Sequence, residues 1–449
     1  MRKSIGLLFL LGFSFLQLFA HTGKPDYHVV IDTDGGPGQM RAITMLLSAN
    51  SIRVLAISCT RGTPDQETVC QEVRSLLSAF HHEGIPVVAS AEGLNRVLED
   101  YPDPLTLVAL GLPDTYAGWI REHPAMTERI GQVICPDPGE GRKGTSGGMT
   151  DGDLEFLRAS GLNVILVAGG REDLFAGRAY RDQLKGLDNR YSGYILETLS
   201  SPSGEPGTGE GPALAADFIP LYLSAPVLFG IEAGQGTRVA TVNADLPPVF
   251  IYETIRNILE SSDPGNNRVF TSFPVEPDLY KKEVASILPR TLAKYGREEW
   301  KAITLTNEIH GHTGIYSIIG AKMGIRALEY FNLGVNSLEV LTFAGNSPPL
   351  SCLNDGIQVS SGATVGQGLI TVSDSISSIP SAVFAFNGRK VHFSLDPEIA
   401  ARMKREIRYG VEQFGLSSAQ YWLYIEQLAL RYWSEMDRHE IFIIREISL

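Results

Sequence analysis

Residues 29–42, VVIDTDGGPGQMRA, decide how the first half of the chain is read. Val29, Val30 and Ile31 form an apolar β-branched run, which favours a buried strand. Asp32 and Asp34 follow on alternate positions, and Gly35 to Gly38 make a turn. A helix is expected through Met40–Leu47. The same beat continues outward. Val54–Ser58, Ile85–Val88, Leu105–Leu110, Gln132–Cys135 and Asn163–Ala168 read as strands, with amphipathic stretches between them. After the second strand, Thr63 is the expected helix cap, with Pro64 at the first helical position and Gln66 three residues past the cap. Val69, Val73, Leu76, Leu77 and Phe80 make that helix's apolar stripe. Buried strands separated by helices imply an α/β fold: an open, mainly parallel sheet with helices on both faces. Ligands bind such sheets beyond the carboxyl ends of the strands, so the turn after Ile31 is the first place to look.

The 449 residues allow two or three domains. Residues 200–211 are rich in Ser, Gly, Pro and Glu and read as an exposed loop. The polar stretch SSDPGNNR at 261–268 falls where the alternation ends. The domains therefore read as 24–262 and 278–449. The second is a smaller α+β unit. It has a helix at Lys282–Tyr295 and another at Ile315–Phe331, then strand-like runs at Leu338–Phe343, Gly368–Val372, Ala382–Asn387 and Lys390–Phe393. A charged helix follows at Asp396–Phe414.

Arg2 and Lys3, the apolar run Ile5–Phe19 and the small Ala20 follow the plan of a secretory signal cut before His21. The run is short for a bilayer span. The mature protein is thus expected to be secreted or periplasmic, with no transmembrane segment. The net charge of -13 disfavours nucleic-acid polymers and anionic membranes. A small-molecule partner, free nucleosides included, stays open, as does a homo-oligomer. Four cysteines are too few for a disulfide scaffold. Cys59 and Cys70 could pair in an oxidising compartment, but buried free thiols suit their strand and helix positions better.

On chemistry alone, Asp32 and Asp34 at a strand end suit a hard cation such as calcium. They equally suit turn and cap positions. Arg142 and Lys143 in GEGRKGTSGG, residues 139–148, could approach an anion. The segment lacks the P-loop order, and a surface loop is the simpler reading. His310-Gly311-His312, with Cys352 about forty residues on, suits an open transition-metal site such as zinc, or ordinary turn residues.

IDTDGGPGQMRA resembles the nucleoside hydrolase fingerprint Asp-x-Asp-Pro-Gly-x-Asp-Asp, with Ala after two further residues. Asp32, Asp34, Gly36 and Ala42 match it. LTLVALG at 105–111 with REHPAMTERI at 121–130, and DLEFLRASGLNVILV at 153–167, are similar to later units of that family in the same order. Ala216-Asp217-Phe218 stands where the family has His-Asp-Pro. The resemblance implies a calcium ion that holds a ribose diol and an attacking water. Asp34 would be ligand and base, Asp217 the second acidic ligand and Asp32 a supporting carboxylate. The chain departs from the family where paired Asp becomes Gly38-Gln39, leaving Gln39 only a neutral carbonyl for the metal. Ala216 replaces the His. DPGEGRKGTSGGMTDGD at 137–153 replaces the family's Asn-rich segment, and Gly62 is followed by Thr63 rather than Asn.

EIHGHTGIYSIIGAKMGIRALEYF at 308–331 resembles the Phe-His-Gly-His-x-Cys-Pro-Gly segment of the E subunit of formylmethanofuran dehydrogenase. SCLNDGIQVSSGATVGQGLI at 351–370 resembles its Cys-x-x-Asp-Ala-Ile-Gln and Gly-Cys-Thr-x-Gly-Lys-Gly segments, and RKVHFSLDPE at 389–398 continues the likeness. The resemblance implies metal ligation by His310, His312 and Cys352, with Asp355 behind them orienting a ligand. Gly314, Ala363 and Gln367 replace two Cys and a Lys of that pattern, and no cysteine follows Cys352. Three readings follow. One is an exported hydrolase that cleaves an N-glycosidic bond and carries an accessory metal domain. Another is a non-catalytic binding protein built on two degenerate enzyme domains. A third puts the chemistry in the second domain or between the two.

Overall fold

The protein is seen as a computed structural model. It describes residues 27–447 except 60–64, 100, 103, 112, 138–150, 169–170, 172, 188, 201–206, 209–210, 213, 235–236, 261–268, 271 and 417. The expected secretory signal, Thr63, Arg142, Lys143 and the 261–268 boundary segment lie outside these residues.

The first domain runs β1 (Tyr27–Thr33), α1 (Pro37–Ser48), β2 (Ile52–Cys59), α2 (Gln66–Ala79), β3 (Val87–Val88), α3 (Ala91–Leu98), β4 (Leu105–Ala109), α4 (Asp114–Glu122), β5 (Ile130–Pro136), α5 (Asp151–Ala159), β6 (Val164–Ala168), α6 (Arg178–Leu184), α7 (Arg190–Thr198), β7 (Gly207–Thr208), β8 (Gly211–Pro212), α8 (Phe218–Ser224), β9 (Phe229–Ala233), β10 (Thr237–Val242) and α9 (Pro248–Glu260). Eight strands form one sheet in the order β3-β2-β1-β4-β5-β6-β10-β9. All neighbours are parallel except β10 and β9. Alternate residues of β1 serve opposite faces, as the strand period requires. Val29 and Ile31 pack with α1 and α2, while Val30 joins Leu94 and Trp119 on the other side. The chain leaves β1 on one side toward β2 and β3 and returns to β4 on the other. The order reverses there, which opens a crevice beyond the ends of β1 and β4.

Helix α2 begins later than Thr63 would set it. Asp65 is its cap and accepts from the Thr68 amide at 3.0 Å. Asp is at least as good a cap as Thr. The Gln66 amide instead donates to Cys59 O and Ala89 O at 2.7 and 2.9 Å, tying the ends of two strands. Cys59 and Cys70 are buried free thiols.

The second domain runs α10 (Lys282–His310), α11 (Ile315–Phe331), β11 (Glu339–Thr342), α12 (Cys352–Ser361), β12 (Ile370–Val372), β13 (Ser381–Phe386), β14 (Arg389–Leu395), α13 (Pro397–Phe414), α14 (Ala419–Glu435) and β15 (Phe442–Ile447). Its sheet order is β12-β11-β13-β14-β15, antiparallel except between β11 and β12. The helix expected to end at Tyr295 continues to His310, bent at Gly296, whose φ is +82°. Helices α11 and α12 cross with backbones touching. A methyl group at Gly320 would strike Leu353 O, and one at Gly356 would strike Ser317 O. Glycine at these positions fixes where α12 sits against the start of α11.

The loop after α2 joins the two domains. His81 stacks on His439 with ring centroids 3.6 Å apart. The His82 imidazole bonds Glu329 O at 2.6 Å and the Tyr191 hydroxyl at 2.7 Å, and Gly84 N–H donates to Tyr330 O at 2.7 Å. Burial pushes the His82 imidazole down to about 4. In the unfolded chain it titrates near ~6.5. A depressed folded value gives stability that is complete above the unfolded pKa and lost as pH falls through the folded one. The loss attributable to His82 therefore develops between about pH 6.5 and 4, and is on the order of 3 kcal/mol when complete. His439 works in the opposite sense: Asp437 and Glu329 outweigh its burial and raise its pKa. Melting temperature measured against pH should fall more gently over that window for His82→Gln than for the wild type, relative to each protein's value at pH 7.5.

Candidate functional site

The acidic turn sits in the crevice between β1 and β4. Asp32 is the last but one residue of β1 and is buried. Tyr116 beside it donates to Val30 O at 2.8 Å and Val108 O at 3.2 Å, bridging β1 and β4. Burial pushes its phenol up, and the Asp32 charge adds to this. Asp34 is partly exposed in the turn. Its Oδ1 accepts from the Gly36 amide at 3.3 Å. The Gln39 side chain turns back on the loop. Its Oε1 accepts from the Thr33 hydroxyl at 2.7 Å and the Asp34 amide at 3.1 Å. The Asp34 N–H can only donate, so the amide presents its oxygen to the turn, and two donors occupy that oxygen. Gly111, just past β4, faces Asp34 Oδ2 and the Gln39 Nε2 group; a methyl there would lie 3.4 and 3.5 Å from them.

Asp217 precedes α8 and is buried with Arg41 of α1. Arg41 Nη2 donates to Asp217 Oδ2 at 3.1 Å and Nε to Oδ1 at 3.4 Å. The Asp217 carboxylate, which the resemblance assigns to calcium, is thus held by the Arg41 guanidinium. The Gln39 carbonyl oxygen, assigned to the same ion, serves the turn. A clue to Arg41 was present, since it is the lone charge in the otherwise uncharged stretch 35–52.

In the second domain, His310 ends α10, Gly311 caps it at φ +80°, and His312 follows. The two imidazoles lie 4.4 Å apart between ring centroids. His310 Nδ1 bonds Asp355 Oδ2 on α12 at 2.9 Å. Its Nε2 is buried with no hydrogen-bond partner. A carboxylate accepting from Nδ1–H fixes the tautomer that leaves a lone pair on Nε2. Gly314 borders that nitrogen: a methyl at this position would lie 2.9 Å from Nε2 and 2.6 Å from Ser317 Oγ. Cys352 is the first residue of α12, one helical turn before Asp355 and so on the same face. Burial raises its thiol pKa, and Asp355 raises it further. Burial, then the neighbouring His310, lowers the His312 imidazole, favouring the neutral form that a metal requires. The Trp422 ring meets His312 edge-on at 5.4 Å.

His310, His312 and Asp355 are thus brought together, with Cys352 on the same helix as Asp355. Among the described residues, no group of three or more His, Cys, Asp or Glu side chains is placed to hold a metal ion. The donor chemistry nevertheless separates the two places. In the first, the ligand set implied for calcium does not fit, because Arg41 holds Asp217 and the turn holds Gln39. In the second, an orphaned buried imidazole nitrogen, a neighbouring imidazole and a nearby thiol suit zinc or another transition metal.

Residues 309–439 match the family model described as FmdE, molybdenum formylmethanofuran dehydrogenase operon. No curated protein matches the chain. Among solved structures, a plant nucleoside hydrolase aligns at 14% identity and a TM-score of 0.43, covering 53% of this chain and 100% of its own. A purine-preferring ribonucleoside hydrolase from Gardnerella vaginalis aligns at 12% identity and 0.42, covering 52% and 99%. An inosine-uridine preferring nucleoside hydrolase from Bacillus anthracis aligns at 12% identity and 0.41, also covering 52% and 99%.

The crowding at Gly314 gives a direct prediction. Gly314→Ala should destabilise the protein by about 1–3 kcal/mol in denaturant unfolding, because the methyl must displace Ser317 or His310. Its backbone φ of -100° suits alanine, so the cost is packing and not strain. Residues 309–439 are thus matched by the FmdE family model, behind an open, mainly parallel α/β first domain.

Proposed function

We propose that this is an exported metal-binding protein whose functional centre is a transition-metal site at His310 and His312, with Cys352 as the third donor and Asp355 orienting His310. The observation that carries the reading is the His310 imidazole. It is largely buried, bonded on Nδ1 to a carboxylate, and unpartnered on a buried Nε2 that Gly314 borders closely. When bound, zinc or a similar ion supplies a Lewis acid at that place. The protein's own part is to hold the imidazole oriented through Asp355. The first domain serves in this reading as a pocket for a small molecule, a nucleoside or related glycoside being the class that its resemblance suggests. Calcium-assisted hydrolysis of an N-glycosidic bond has less support, since Asp34 is available at the turn but Asp217 and Gln39 are engaged elsewhere. Export rests on the sequence of residues 1–20.

Metal binding can be read without any activity. Trp422 is 47% exposed and touches His312, whereas Trp119, Trp300 and Trp433 are buried. Titration of the metal-free mature protein with Co2+ should give one equivalent bound and should quench tryptophan emission. His310→Ala should abolish both, and Asp355→Asn should weaken affinity by roughly 10–100-fold. Trp422→Phe should bind Co2+ normally while losing most of the quench. Equal Co2+ affinity in wild type and His310→Ala would defeat the reading.

A further inference from the structure

We infer that Arg41 takes the place of a metal ion in the first domain, so that the crevice beyond β1 and β4 is assembled by a covalent part of the chain and takes no calcium. Three observations converge on this. Arg41 and Asp217 are each 1% exposed and meet through two hydrogen bonds, so the carboxylate's charge is neutralised from within. A divalent cation brought to Asp217 would have to displace the guanidinium or sit beside it with like charge, in a part of the protein with little water to screen the repulsion. The neutral oxygen offered by Gln39 is saturated by Thr33 and the Asp34 amide, so recruiting it would break the turn that presents Asp34. Gly38, between them, has no side chain to contribute. Of the other acids at the mouth, Asp32 is buried in β1 and Asp34 already accepts from Gly36, which leaves few oxygens for an ion that takes six to eight.

The replacement has a structural consequence. Arg41 belongs to α1 and Asp217 to the entrance of α8, residues 176 apart in sequence. Their bond therefore ties the helix that follows the Gly-rich turn to the far part of the domain. The tie is permanent, whereas a metal tie would depend on ion supply. This inference is independent of the metal site proposed in the second domain, and the ions used to test them differ.

The test is thermal unfolding of the mature full-length protein in metal-stripped buffer, with and without millimolar Ca2+. The melting temperature should not move. No rise supports the inference, and a Ca2+-dependent rise overturns it. A second arm examines the pair itself. Arg41→Gln leaves a buried carboxylate without its partner and should lower the melting temperature by on the order of 10 °C. The double variant Arg41→Gln with Asp217→Asn should recover part of that loss and provides a folded reference if the single variant does not fold. An Arg41→Gln protein as stable as the wild type would overturn the inference, as would a double variant less stable than the single one.

Discussion

Glu329 is the charge on which the two domains hang. It lies in the last turn of α11, where a helix end carries partial negative charge and a carboxylate is unfavourable on its own. Arg438 donates to it at 3.0 and 2.6 Å, His439 at 2.9 Å, and Arg190 of the first domain approaches to 3.5 Å. Burial pushes this carboxyl up, but Arg438 and His439 outweigh it and hold the group well below the usual range. Arg438 also reaches Glu299, which in turn meets the buried Lys322. Removing one member of such a network strands the others in low dielectric, which is why the arrangement is all or nothing. The same helix end receives the 81–84 loop of the first domain, so the network and the domain contact are one feature.

The two candidate places show opposite uses of polar groups. In the first domain two of the polar groups assigned to a metal by resemblance find partners internally: Arg41 for Asp217, and Thr33 and the Asp34 amide for Gln39. Satisfied groups rigidify the crevice and leave little to offer a cation. In the second domain His310 is satisfied on one nitrogen and left open on the other. A buried polar atom without a partner is costly, and natural proteins retain few of them. The metal ion proposed at His310 would remove that cost.

The second site owes its position to backbone contact. Asp355 reaches His310 because α12 lies against the first turns of α11, and it lies there because Gly320 and Gly356 allow it. Gly314 does the same at smaller scale, leaving room where any side chain would press on His310. The residues that set the geometry are thus those with no chemistry of their own.

Much of this was legible in the chain itself. Apolar runs at 29–31, 54–58, 105–110, 132–135 and 163–168 mark strands because a parallel strand covered on both faces must be apolar throughout, and the turn after Ile31 marks the crevice because Gly and Asp cluster there. The His310–Asp355 contact follows from a resemblance in which both residues occupy matching segments. Strands β9 and β10 were not legible: β9 is an exposed edge and β10 alternates only weakly, so neither stands out from a loop. Nor was the fate of Asp217. Sequence shows an acid at a matching position, but the partner of a buried charge lies 176 residues away and is chosen by how α1 packs on α8. Local pattern determines which elements form and which polar groups stand at their ends. Only the tertiary structure decides which of those groups neutralise one another, because that depends on distances between elements that no spacing along the chain encodes.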